Sequence, residues 1–108
     1  MKESLIQKAC LEFLAAKGIF AWRNNSTGIY DQEKGIFRRT HSIKGVSDIL
    51  GILPDGRFLA CEVKTPKGRV SPEQQFFVDE IAARGGVGMI VRSVDELEAD
   101  LEDAGVLR

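Results

Sequence analysis

The chain has 108 residues, 44% of them hydrophobic and 29% charged, which is ordinary for one globular domain with a modest core. Its apolar runs fall short of the roughly 18 residues of a membrane span, and its N-terminal sequence lacks the apolar segment of a signal peptide. These features argue against a membrane or secreted protein, and we expect a single domain over residues 1–108 in the cytoplasm.

The net charge of −1 conceals an uneven distribution. Residues 21–69 contain nine Lys or Arg against five Asp or Glu, whereas residues 70–108 contain three against nine. A basic middle segment suits a polyanionic partner, although random scatter of charge would produce similar counts.

The first part of the chain predicts a helix and a short strand. Apolar residues recur at helical spacing from Glu3 to Lys17, and Gly18 suits the position after a helix end. Ile19–Arg23 is strand-like. The segment from 24 to 44 is irregular, with a ragged hairpin predicted around residues 31–35.

The segment from Gly45 to Lys64 is central to the prediction. Two apolar runs flank Pro54-Asp55-Gly56, whose turn chemistry predicts a three-residue hairpin loop. The resulting register pairs Leu50 with Ala60, Asp48 with Glu62, and Val46 with Lys64.

Side-chain alternation places Asp48, Glu62 and Lys64 on one face of this hairpin. Both faces are otherwise apolar, which predicts central strands covered on both sides. Two opposed, half-buried carboxylates repel each other, and a divalent cation such as Mg²⁺ would remove that conflict. The alternative is a solvated hairpin with scattered charges.

The second half of the chain predicts helix, strand and helix. Ser71, Pro72 and Gln74 form a capping-box pattern for a helix ending near Arg84. A buried strand follows at 87–91, and a second capping box at Ser93–Glu96 opens a helix ending near Ala104. We therefore predict an α/β fold with a mixed central sheet and helices on both faces.

Other side chains carry weaker signals. Cys10 and Cys61 fit apolar patterns, which indicates reduced core residues. His41, the only histidine, has no identifiable catalytic partner. Basic residues in or near the irregular segment and after the hairpin could bind a phosphate backbone, or could simply be solvated. These predicted DNA-binding residues are Arg23, Arg38, Arg39, Lys44, Lys67 and Arg69.

The motifs together resemble a known family. Gly45-Val46-Ser47-Asp48, Glu62-Val63-Lys64 and the later Gln74, with an early Glu3, resemble the VRR-NUC (virus-type replication-repair nuclease) domain of the PD-(D/E)xK nuclease superfamily. The resemblance covers nearly the whole chain and is to the stand-alone type found in phage and bacteria. It implies a restriction-endonuclease-like αβββαβ core. Ser47 departs from the Pro of many relatives.

The resemblance also implies roles for individual residues. Asp48, Glu62 and the Val63 carbonyl would bind Mg²⁺ or Mn²⁺, with Glu3 approaching directly or through water. Lys64 would orient the attacking water and stabilise charge on the phosphate, and Gln74 would hold Lys64 or a phosphate. Phosphodiester hydrolysis requires these contributions.

We accordingly expect a metal-dependent, structure-selective DNA endonuclease, active in DNA repair on branched DNA such as a four-way (Holliday) junction. The alternatives are a non-catalytic nucleic-acid-binding module with the nuclease fold, and an interaction domain that uses the acidic C-terminal helix. A homodimer is expected because a junction has approximate two-fold symmetry. Phe76, Phe77 and Val78 cannot all be buried against one sheet, so at least one is expected on the surface.

Overall fold

The computed structural model describes residues 2–24, 29–31, 36–38 and 43–107. The helices and strands run in the order α1 (Glu3–Ala16), β1 (Phe20–Arg23), β2 (Ile29–Asp31), β3 (Ile36–Arg38), β4 (Ile49–Ile52), β5 (Phe58–Val63), α2 (Pro72–Ala83), β6 (Val87–Val91) and α3 (Val94–Asp103). Within this order, α1, β1, β4, β5, α2 and β6 form the expected αβββαβ core. The predicted hairpin in the irregular segment is present as the antiparallel pair β2–β3.

A mixed four-stranded sheet with the order β1-β4-β5-β6 organises the fold. Both β1–β4 and β4–β5 are antiparallel, whereas β5–β6 is parallel, as the α2 crossover predicts. The β4–β5 loop follows its turn chemistry, because Gly56 has φ 91° and its N–H donates to the Leu53 carbonyl at 2.8 Å. The predicted pairing of Leu50 with Ala60 is confirmed.

One face of the sheet carries the main hydrophobic core. It packs against α1 and α3. This core includes both buried cysteines, which are free thiols; burial raises the pKa of Cys10 to about 11. Its buried members are Ile6, Cys10, Leu14, Ile19, Ile49, Leu53, Leu59, Cys61, Val63, Val87, Met89, Val91, Leu97 and Leu101.

The opposite face is only partly covered, which corrects the prediction that both faces of the hairpin are enclosed. Helix α2 packs on β5 and β6, where a Cβ at Gly88 would collide with the Val78 carbonyl oxygen. Over the β1–β4 half of this face, the described residues include exposed apolar side chains: Ile52 is 44% exposed and Phe20 69%. The reason is the width of the sheet: a single helix of about 10 Å diameter can cover only two of four strands that are spaced about 4.8 Å apart.

The N-terminal cap of α2 is as predicted, whereas that of α3 differs in one hydrogen bond. Ser71 and Gln74 form the full capping box of α2. At α3, Ser93 accepts from the Glu96 N–H, but the Glu96 carboxylate accepts from the Arg92 N–H rather than from Ser93. No helix in the described part of the chain is long and apolar enough to cross a membrane.

Candidate active site

Asp48 and Glu62 meet where β4 and β5 begin to separate. The β4–β5 ladder ends at the Ile49–Cys61 pair, so continuing its register by one residue places Asp48 opposite Glu62. The predicted pairing of Val46 with Lys64 is not formed, because the ladder ends at Ile49 and Cys61. The two carboxylates therefore lie at the end of the paired region.

Backbone hydrogen bonds hold Asp48 on both sides. Its Oδ2 accepts from the Val63 N–H at 2.9 Å, and its carbonyl accepts from the Asn24 N–H at 2.7 Å. In a strand, the N–H and carbonyl of one residue point toward the same neighbour. The Val63 carbonyl, which is itself a predicted metal ligand, is thus directed toward the side on which Asp48 lies.

Glu62 is a buried carboxyl group. It is 1% exposed, and its Oε2 has no hydrogen-bond partner among the described residues. Its Oε1 has one long contact, from Gln74 Nε2 at 3.4 Å. Burial raises the pKa of Glu62 to about 9, and Asp48 adds to the rise through its charge and as the acceptor of a hydrogen bond from protonated Glu62, against an opposing effect of Lys64. A buried acceptor without a partner is costly unless some group satisfies it.

The residues fit a hard divalent cation. Mg²⁺ is typically held by one or two carboxylates together with water and phosphate oxygens. Asp48 and Glu62 supply the carboxylates, and the unpartnered Glu62 Oε2 is the atom that a cation would satisfy. Within residues 2–24 and 43–107, no three His, Cys, Asp or Glu side chains are arranged to hold a metal ion. Glu3 is therefore not placed as a direct third ligand.

Glu3 and Lys64 lie within electrostatic reach of the pair. The charge of Glu3 raises the pKa of Glu62, whereas that of Lys64 lowers it. Lys64 is half-buried at the end of β5, and Glu3 opens α1. A role for Glu3 through water and a role for Lys64 at a phosphate remain predictions that this arrangement permits.

Gln74 contacts Glu62, a partner that the sequence did not predict. Its Oε1 accepts from the Ser71 N–H at 2.9 Å and completes the capping box, so the side chain is fixed. This leaves Nε2 directed at Glu62 Oε1. The structure thus connects the start of α2 to Glu62, a predicted metal ligand.

Gly45 is a positioning residue whose contacts the sequence did not reveal. Its φ is 77°, and a Cβ there would collide with the Glu73 carbonyl and lie 2.7 Å from the Gln74 nitrogen. The chain entering β4 therefore passes directly over the first turn of α2. The glycine of the G-x-x-D motif was the available signal for this close approach.

Arg92 and Ser47 were also missed. The Arg92 guanidinium donates to the carbonyls of Thr65 and Gly68 (2.8 Å for Gly68), which fixes the loop after Lys64. The available sequence signal was Val91-Arg92-Ser93 before the last helix, a stretch that also resembles the VRR-NUC domain. The Ser47 hydroxyl is buried without a partner among the described residues, and no sequence signal indicated this.

The predicted DNA-binding residues whose burial the structure describes lie on the surface. Within the part of the chain that the structure describes, Arg23, Lys44, Lys67 and Arg69 are exposed. Arg38 ends β3, and Arg39 lies outside the described residues, as does His41. Exposure is compatible with phosphate contacts but does not distinguish them from solvated side chains.

Comparison with known proteins agrees with the motif analysis. The family model of the VRR-NUC domain matches residues 2–95. A solved structure described as a VRR_NUC domain is similar to this chain, with a TM-score of 0.65 and 25% sequence identity, over 93% of this chain and 94% of that one. No curated protein gives a significant match. Because the family match spans far more than half of the sequence, the chain belongs to the VRR-NUC family, a nuclease-type family.

Proposed function

We propose that this protein is a divalent-metal-dependent DNA endonuclease that hydrolyses phosphodiester bonds. The observation that carries the proposal is the buried Glu62 carboxylate beside Asp48, with one oxygen unpartnered among the described residues. A stability-driven core would avoid such a pair, because a buried carboxylate next to a second carboxylate opposes folding. Membership of a nuclease-type family supports the same reading.

Each residue has a role in this proposal. Asp48 and Glu62 would hold Mg²⁺ or Mn²⁺, with the Val63 carbonyl directed toward the same place. The bound ion would supply charge neutralisation at the phosphate and a more acidic water. Gln74 orients Glu62, and Glu3 adds negative charge at the site.

Lys64 performs the remaining chemistry that protein groups can supply. Its ammonium is a compact charge with three donors, suited to orienting a water and to stabilising charge that develops on phosphate oxygens. Its backbone is fixed to β6 through Val91, and Arg92 fixes the loop that follows. The lysine therefore approaches the phosphate from a rigid strand end.

Branched DNA is the proposed substrate, cut by a homodimer. A protein with one site per chain needs two copies to cut two strands symmetrically, and C₂ dimers are the commonest oligomers. Phe76 is 65% exposed and lines a surface pocket with Ile43, Lys44, Pro72 and Glu73, so it offers apolar contact area. Val78, by contrast, is buried, as expected for successive helix residues.

One panel tests the proposal against the non-catalytic alternative. Linear duplex, single strand, flap and four-way junction DNA are incubated with the protein in Mg²⁺, Mn²⁺ or chelator. Metal-dependent cleavage, strongest on branched DNA, is expected. Binding without cleavage in every metal would favour the non-catalytic module.

A further inference from the structure

The β1–β4 half of the α2-side sheet face carries an exposed aromatic pair. Phe20 is 69% exposed and Trp22 39%, and their ring centroids are 5.4 Å apart at an interplanar angle of 54°. Ile52 and Phe58 continue the same surface at 44% and 37% exposure. We call these four residues the aromatic patch.

The aromatic patch and the candidate active site share one face of the sheet. Trp22 pairs with Leu50, and Phe20 pairs with Ile52. Directly paired residues point to the same face, as do residues two apart on one strand. Trp22 therefore lies on the same face of the sheet as Asp48. Two residues along the chain and one interstrand spacing separate them, which corresponds to about 8 Å between their Cα atoms. That is about two to three nucleotide steps at the 3.4 Å spacing of a stacked strand.

We infer that Trp22 and Phe20 stack on unpaired bases of the DNA strand whose phosphate lies at Asp48 and Glu62. This inference rests on the proposed nuclease function and specifies its substrate as DNA with unstacked bases next to the cut. Every base has a π-face, so aromatic platforms bind single strands with little sequence preference. Bases inside a duplex are stacked on one another and cannot use such a platform.

The size of the aromatic patch argues against a second copy of the chain as its occupant. Its exposed area is about 400 Å², taking about 200 Å² for each fully exposed side chain. A stable interface buries about 800 Å² on each partner. A base or two, by contrast, fits an area of this size beside the phosphate site.

Trp22 provides its own probe, because it is the only tryptophan in the chain. In chelator, which prevents cleavage, the protein is titrated with dye-labelled oligothymidylate or with a blunt duplex of equal length. Binding is followed by the anisotropy of the dye, and stacking by Trp22 fluorescence. We expect the single strand to quench Trp22 strongly at saturation and the duplex to leave it nearly unchanged.

Variants separate stacking from general binding. Trp22→Ala and Phe20→Ala should each weaken binding of the single strand by about 10-fold, the loss of one base–aromatic stack. Trp22→Tyr, which keeps a ring, should restore most of the affinity. Because Phe20→Ala alters the more exposed ring and retains Trp22, it stays informative if Trp22→Ala fails to fold.

Three results would overturn the inference. The first is saturated binding by anisotropy with no change in Trp22 fluorescence, which would leave the nuclease proposal standing. The second is a blue shift of Trp22 with rising protein concentration and no response to DNA, which would assign the aromatic patch to a second copy. The third is absence of DNA binding altogether, both in chelator and with metal, which would overturn the proposed function as well.

Discussion

Replacing Glu62 with Gln should stabilise the metal-free protein while abolishing its response to metal. The substitution keeps the size of the side chain and its contact with Gln74, but removes an ionisable group from a site that is 1% exposed. Burial and Asp48 raise the pKa of Glu62 to about 9 from 4.5. The folded protein therefore holds a proton at Glu62 that the unfolded chain releases.

The sign and size of the effect follow from linkage. A raised carboxyl pKa contributes stability that is complete below about pH 4.5 and is lost progressively as pH rises toward 9. At pH 7.5, about three units above 4.5, the loss is at most about 4 kcal/mol at 1.36 kcal/mol per unit. Local relaxation and water reduce such penalties. We therefore expect Glu62→Gln to raise the free energy of unfolding of the metal-free protein by about 1–3 kcal/mol, or its Tm by about 5–15 °C.

Thermal unfolding across pH 5–9, with chelator or with Mn²⁺, measures both effects. In chelator, the Tm of wild type should fall relative to Glu62→Gln as pH rises. Mn²⁺ at 100 times its Kd should raise the free energy of unfolding of wild type by about 2.7 kcal/mol. The same concentration should change that of Glu62→Gln only slightly. Glu102→Gln, an exposed carboxylate on α3, is the matched control. A less stable Glu62→Gln variant in chelator at pH 8, or an undiminished Mn²⁺ response, would refute the reasoning.

Three further predictions concern neighbouring features. Lys64→Ala should reduce cleavage at least 100-fold in a labelled-DNA assay yet retain the Mn²⁺-induced rise in Tm; loss of that rise would place Lys64 in the metal site instead. Gly45→Ala should lower the free energy of unfolding, measured with denaturant, by about 2–4 kcal/mol, because it adds a backbone collision at Glu73 to the strain of positive φ. Gly56→Ala, where φ is 91° and the surrounding space is open, should lower it by only about 1–2 kcal/mol. Equal costs for the two would contradict the packing argument. Light scattering at micromolar concentration should report about twice the 11.9 kDa chain mass, and a monomer that cuts junctions symmetrically would remove the case for a dimer.

The sequence predicted those parts of the fold that local chemistry determines. The Pro54-Asp55-Gly56 turn fixed the hairpin register, and that register alone brought Asp48 and Glu62 together. Ser71 and Gln74 located the start of α2 through capping. Turn and capping chemistry depends only on residues that are close in sequence, so it can be predicted without knowing how the rest of the molecule packs.

Features that depend on packing between distant segments were not predictable. Which strands α2 covers depends on its close approach at Gly88, and this left apolar side chains on the β1–β4 half of the face exposed against expectation. The partner of Gln74 depends on how the start of α2 meets β5. The Glu96 carboxylate was expected to cap Ser93 but bonds to the Arg92 N–H, a competition between two adjacent donors that the sequence pattern cannot resolve.

Metal-dependent cleavage by wild type and Asp48→Asn tests the central claim most directly. Asn retains an oxygen that can accept from the Val63 N–H, so the variant should fold while losing the charge that a cation requires. Asp95→Asn, at an exposed position on α3, is the control. Wild type and Asp95→Asn should cleave branched DNA in Mg²⁺ or Mn²⁺ and not in chelator, with Asp48→Asn at least about 100-fold slower. Cleavage by purified Asp48→Asn at the wild-type rate, or cleavage by wild type in chelator, would contradict a metal site at Asp48 and Glu62.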